Sequence, residues 1–205
     1  FISFDTQSIY VFFQWVLMRL ASIELSQDEV KEGRYNPTRN IEIVGVDALT
    51  EDQITSQLEK AVFCYELEQN RKKTLNDKIK SLLGLGTFSL TLIVACNKFL
   101  QSDTFIYVVM TVFVVAVMIS IFLCLSFLSI NNISIPSFDE STLDNTDKIS
   151  VAANSNSSYR IIELIKCAHY NNRVNDYLAD TYRAAQRYYK LALFSLAIIV
   201  LLYPD

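Results

Sequence analysis

The 205-residue chain contains a single histidine, His169. One imidazole cannot supply a histidine-rich metal site, and it leaves a catalytic triad one base to draw on. Glycine and proline are equally scarce, at 4 and 3 residues. That excludes collagen-like and linker composition. No G-x-G-x-x-G, Walker A loop or nucleophile elbow occurs, and Gly84-Leu85-Gly86 is a lone G-x-G. The 4 cysteines, Cys64, Cys96, Cys124 and Cys167, are far apart and form no C-x-x-C pair. Neither a disulfide scaffold nor a zinc site follows from them. These absences predict a non-enzyme with no catalytic residues, no metal and no cofactor. The net charge of −4 gives no global field that attracts nucleic acid, so any basic site must be local.

A local absence is more informative. Phe105–Ile130 is a run of 26 residues without Asp, Glu, Lys or Arg. At helical rise it covers roughly 39 Å, enough to cross a ~30 Å hydrocarbon core with tilt. Ser81–Asn97 is uncharged as well, and extension to Leu100 adds only Lys98, whose ammonium can snorkel. Gln101–Thr104 joins the two runs with four polar residues, which predicts an antiparallel hairpin. Leu191–Tyr203 is a third apolar run of 13 residues with a Tyr188-Tyr189-Lys190 collar. It is short for a complete span.

What remains is polar and helical in pattern. The chain is 51% hydrophobic and 20% charged, with a mean hydropathy of +0.24, so part lies in lipid and part in water. In residues 1–49, Ile9, Phe12, Phe13, Val16, Leu17 and Leu20 share one helical face. That face suits packing on its own domain or an interfacial membrane helix. Thr50 and Gln53 have the spacing of a capping box, and an uninterrupted helical pattern follows over residues 50–80 into the first span. Residues 131–157 form a Ser/Asn/Asp-rich linker, and residues 158–190 a second polar helix leading into 191–203.

The fold class read from this is all-α: an integral membrane protein whose long cytosolic helices run continuously into transmembrane spans. The transmembrane hairpin takes residues 81–130, with spans 81–100 and 104–130. The layout of basic collar, aromatic and span occurs twice, which predicts an internal repeat with a further span beyond residue 205.

Charge sets the predicted orientation. Arg71, Lys72, Lys73, Lys78 and Lys80 precede the first span, and Arg183, Arg187 and Lys190 precede the third. The positive-inside rule puts both groups, and the N-terminus, in the cytoplasm, with Lys98–Asp103 outside. Juxtamembrane basic residues also bind anionic lipid. The alternative is an anionic-ligand site of Arg71, Lys72, Lys73, Arg173, Arg183 and Arg187. Nearby Asn171, Asn172, Asn175 and Tyr rings suit a nucleotide base, and suit a polar bundle interior equally. Both uncharged runs lack carboxylates, so a pore needs weakly polar lining. Thr87, Thr91 and Ala95 lie on one stripe, with Asn97 and Lys98 at the outer mouth. Small residues at that spacing serve helix packing as readily.

The segment Tyr65–Gly86 (YELEQNRKKTLNDKIKSLLGLG), the hairpin with its four-residue tip, and Tyr182-Arg183…Arg187-Tyr188-Tyr189-Lys190 resemble the SLATT family over roughly residues 55–190. These are membrane effectors of bacterial anti-phage systems, Hailong-type channel effectors among them. The resemblance implies a homo-oligomeric pore, four-fold or higher, in the bacterial inner membrane. It also implies gating by a nucleotide or oligonucleotide from a partner nucleotidyltransferase. The alternative is a non-conducting, membrane-anchored scaffold that binds a cytosolic protein. The segment 1–49 and the third apolar run depart from the simple two-span layout.

Overall fold

The computed structural model describes residues 6–30, 50–96, 104–130 and 149–202. Four helices account for nearly all of them: α1 (Thr6–Leu20), α2 (Glu51–Cys96), α3 (Thr104–Leu128) and α4 (Ile149–Leu202). No strand occurs among the described residues. The weakly alternating Ile41–Val46 lies outside them.

The helix ends follow local chemistry. Ser22 adopts the left-handed conformation with φ 57°. The Ile23 amide donates to the Met18 carbonyl at 2.9 Å, and the Ser22 amide to Arg19 at 2.8 Å. Together these form a Schellman stop, which absorbs two of the last-turn carbonyls. Ser26 and Glu29 then form a reciprocal capping box, amide to carboxylate at 2.7 Å and amide to hydroxyl at 3.2 Å. Hydrogen bonds from the Ser26 amide, and then from its side chain, hold the Glu29 carboxyl below its ordinary value. At α2 the Thr50 amide donates to the Gln53 side chain at 3.0 Å, one half of the expected capping box. The expected linker over 131–157 is shorter than the pattern suggested, because α4 already begins at Ile149. Residues 149–157 contain no Pro or Gly to stop a helix, and the Ser/Asn content read as loop is tolerated within one.

Contacts divide the chain into two compact units. One comprises Phe1–Arg34, Thr74–Asn131 and Tyr177–Asp205, the other Tyr35–Lys73 and Asn132–Asp176. In the first, Ile93 of α2, Met110, Phe113 and Val117 of α3, and Ala192 and Ile199 of α4 form one apolar cluster. Small side chains let the helices approach closely: Ala184, Ala185 and Ala192 are fully buried. Ser120 donates to the Ala185 carbonyl at 2.9 Å, and the Ser89 and Tyr189 hydroxyls bond at 3.1 Å. A Cβ on Gly86 would sit 3.2 Å from Ile121 Cγ1, so α2 and α3 touch there.

In the second unit, Ile54 and Ala61 of α2 pack on Ile161 and Leu164 of α4, with Leu58, Tyr65, Ile162 and Ile165 around them.

Among the described residues, two helices are long and apolar enough to cross a membrane, by length and composition: α3 and Ser157–Leu201 of α4. The expected first span, 81–100, runs past Cys96, the last described residue of α2.

Candidate functional site

The second unit holds a polar network between α2 and α4. An Arg71 Nη atom lies 2.6 Å from the Asp176 carboxylate, and the other donates to Asn172 Oδ1 at 2.9 Å. Glu68 adds a 3.5 Å ion pair from the preceding turn. Asn175 Nδ2 donates to both the Glu68 carbonyl and its carboxylate, each at 2.8 Å. Asn175 is 1% exposed, so this amide bonds where water cannot replace its partner. A buried Asn between paired helices fixes their register, because any slip strands its amide. Burial alone lowers the Arg71 pKa, but the bond and charge of Asp176, with Glu68, raise it above the ordinary value.

Those contacts redefine the basic residues singled out by sequence. Arg71, Lys72, Lys73 and Arg173 belong to the second unit, and Arg183 and Arg187 to the first. Arg71 is neutralised by two carboxylates. Arg183 pairs with Asp180 one turn earlier at 2.7 Å. Arg187 donates to the Ala21 carbonyl, and Arg173 has a partner of its own. Lys73 is exposed. Lys72 is 8% exposed, and among the described residues its Nζ has no hydrogen-bond partner. Desolvation pushes its pKa below the ordinary value, because the buried ammonium has lost water without gaining a counter-charge.

Asn172 and Asn175, considered for base recognition, are committed to the α2–α4 pairing. Sequence pattern alone does not pair Arg71 with Glu68, Asn172 and Asp176. For the two asparagines a signal is present: Asn172 and Asn175 fall within the stripe Ala168, Asn172, Asn175, Leu178, a core-facing register rather than a solvent one.

An open groove of about 380 Å³ runs along this pair, lined by Gln57, Lys60, Cys64, Leu67, His169 and Asn172 among others. Cys64 is a free, exposed thiol. Among the described residues no three His, Cys, Asp or Glu side chains converge as metal ligands.

Of the pore-lining candidates, Thr87 and Thr91 lie on exposed positions of α2 in the first unit. Each hydroxyl donates back along its own helix, Thr87 to Leu83 at 3.1 Å and to Gly84 at 2.9 Å, Thr91 to Thr87 at 3.0 Å. Self-satisfied hydroxyls can face lipid, protein or water at little cost. The Ala95 side chain, Asn97 and Lys98 lie outside the described residues.

The first unit shows where apolar surface goes unused. On α3, Phe105, Val108, Val112, Val115, Met118 and Leu125 are exposed, and on α4 so are Leu191, Phe194, Val200 and Leu201. Only 33% of the most apolar stretch of α3 is buried. No protein family, curated protein or solved structure matches the chain.

Proposed function

We propose that this chain is an integral membrane protein that assembles into an oligomeric pore, with α2 and α4 carrying a cytosolic signal to it. The observation that carries the membrane part is the exposure of α3. A core helix of a soluble protein buries most of its surface, whereas α3 leaves two-thirds of its charge-free stretch uncovered. Phe105, Val108, Val112, Val115, Met118 and Leu125, all exposed on this one helix, are the kind of apolar surface that marks a membrane or protein contact. Lipid removes the penalty of exposing them to water. The pore part rests on the resemblance to SLATT-type anti-phage effectors and on the carboxylate-free α2 stripe of Thr87 and Thr91. In this reading the protein resides in a bacterial inner membrane with the α2–α4 pair on the cytoplasmic side, and a nucleotide or oligonucleotide provides the signal.

The test is flux of a small ion dye from liposomes loaded with the full chain, with and without candidate nucleotides and oligonucleotides, alongside native mass spectrometry in detergent. Flux from a four-fold or larger ring supports the pore. Absence of flux under every ligand overturns it.

The engagement of Arg71 with Asp176 and Glu68 favours a second reading, a membrane-anchored scaffold. With that cation neutralised, the open groove suits a protein helix better than a free anion. A monomer or dimer without conductance is the result this reading expects.

A further inference from the structure

The apolar stripe of α1 faces the wrong way for water. Sequence alone places Ile9, Phe12, Phe13, Val16 and Leu20 on one face, the natural candidate for a core. Instead Ile9, Phe12, Phe13 and Leu20 are exposed, at 40%, 48%, 58% and 72%. The face turned inward carries Val11, Gln14, Met18 and Ala21, with Gln14 at 0% exposure. A helix that hides an amide and presents two phenylalanines has its solvent-facing side matched to hydrocarbon.

Specific contacts fix this orientation. The Tyr10 and Ser126 hydroxyls bond, and the Tyr10 ring packs 5.4 Å from Phe122, tying the N-terminal half of α1 to α3. At the other end, Tyr188 donates to the Leu17 carbonyl at 2.8 Å and Arg187 to the Ala21 carbonyl. Leu17 lies in the last turn of α1, where its carbonyl also accepts from the Ala21 amide at 3.1 Å, and Ala21 directly follows the helix; the helix dipole favours a cation there. Rotating the stripe inward would break all four contacts.

We propose that α1 is a membrane-seated helix, with Ile9, Phe12, Phe13 and Leu20 immersed among acyl chains at the headgroup boundary. This rests on the membrane reading above. Three observations select lipid as the occupant. The face is continuous in kind with the exposed apolar faces of α3 and α4, which belong to the same unit. Its anchors, Arg187 and Tyr188, immediately precede the apolar run that starts at Leu191, which sets its level at the edge of the hydrocarbon. The described helix has no acidic residue and carries an exposed Arg19 in its last turn, suited to an anionic headgroup. Trp15 packs against Phe12 in a tilted arrangement, ring centroids 5.9 Å apart, and donates its indole N–H to the Leu25 carbonyl at 2.9 Å. The ring therefore needs no water. Such a helix acts as an outrigger, coupling the start of the third apolar run to the state of the membrane surface.

Trp15 is the only tryptophan in the chain, so its emission reports α1 alone. The full chain is reconstituted into phosphatidylcholine/phosphatidylglycerol vesicles whose acyl chains carry bromine either near the headgroup or near the bilayer centre. Shallow bromines should quench Trp15 by roughly half or more, and deep bromines clearly less, as for a helix seated about 5–10 Å into the boundary. A double variant, Trp15→Phe with Val112→Trp, moves the reporter to the exposed face of α3 as the control. Quenching at position 112 with none at Trp15 overturns the α1 proposal and leaves the membrane reading standing. No quenching at either position overturns both. Phe13→Cys supplies the remaining discriminator: efficient disulfide cross-linking between copies through position 13 shows a protein-covered face and overturns the lipid assignment.

Discussion

Asn175 of α4 places its amide 2.8 Å from both the main-chain carbonyl and the carboxylate of Glu68 on α2. This one side chain links two helices more than a hundred residues apart in sequence, and it does so at 1% exposure. The neighbouring Arg71–Asp176 bond is shorter but wetter, with side-chain exposures of 35% and 56%. Burial rather than distance should rank their contributions.

Asn175→Ala is expected to destabilise the paired helices by about 1–3 kcal/mol, since it removes two part-buried hydrogen bonds, one of them to a carboxylate. Asp176→Asn should cost under about 1 kcal/mol, as exposed ion pairs do. Thermal unfolding in detergent, followed by circular dichroism, measures both. An equal or reversed order contradicts the assignment of Asn175 as the register-setting residue.

Lys72 gives a pH dependence of known sign. Its folded pKa lies below the ordinary 10.5, through desolvation. Below the folded value the ammonium is charged in both states, and the folded state bears the whole penalty. As pH rises from the folded value towards 10.5, the unfolded chain holds more protons than the folded one, so stability increases with pH. Lys72→Met removes the penalty. The variant should melt higher at neutral pH, and the difference should shrink as pH approaches 10.5. Parallel melting curves across that range speak against a buried, unpaired ammonium.

The two helical glycines should respond oppositely. A Cβ at Gly84 meets nothing within 4 Å, so Gly84→Ala should stabilise α2 by about 0.5–1 kcal/mol through helix propensity. At Gly86 the same Cβ meets Ile121 at 3.2 Å and Val117 at 3.7 Å. Gly86→Leu should push α2 and α3 apart and cost about 1–3 kcal/mol. Detergent melting of the two variants side by side checks the contrast.

The pore reading predicts reactivity along one stripe of α2. In a background freed of the native cysteines, Thr87→Cys and Thr91→Cys should react with a membrane-impermeant thiol reagent, and modification should change liposome flux. Val94→Cys, at a 72% exposed apolar position, should react at least ~10-fold more slowly, because a thiolate does not form in hydrocarbon. Uniformly slow reaction at positions 87 and 91 assigns the stripe to helix packing.

Legibility in the sequence varied with the range of the interactions involved. The Thr50–Gln53 cap and the apolar character of α3 are local properties, set by side chains within one or two turns, and were readable. The start of α4 was misplaced by nine residues, because Ser- and Asn-rich composition carries a weak signal where no Pro or Gly breaks the chain. The basic residues were readable as a cluster but not as pairs, since the carboxylates that neutralise Arg71 include one on the opposite helix.

By itself, the sequence determined the helical character of this protein and a charge-free run over residues 105–130. Periodicity and transfer energy need no knowledge of distant residues. Only the tertiary structure decided which side of each helix faces out. On α1 the sequence drew the apolar stripe correctly, but tethers from Tyr10, Arg187 and Tyr188 turn it outward. On the α2–α4 pair, residues that looked available for a ligand are held by each other. Both outcomes depend on polar bonds between segments far apart in the chain, and hydrophobic periodicity contains no information about those.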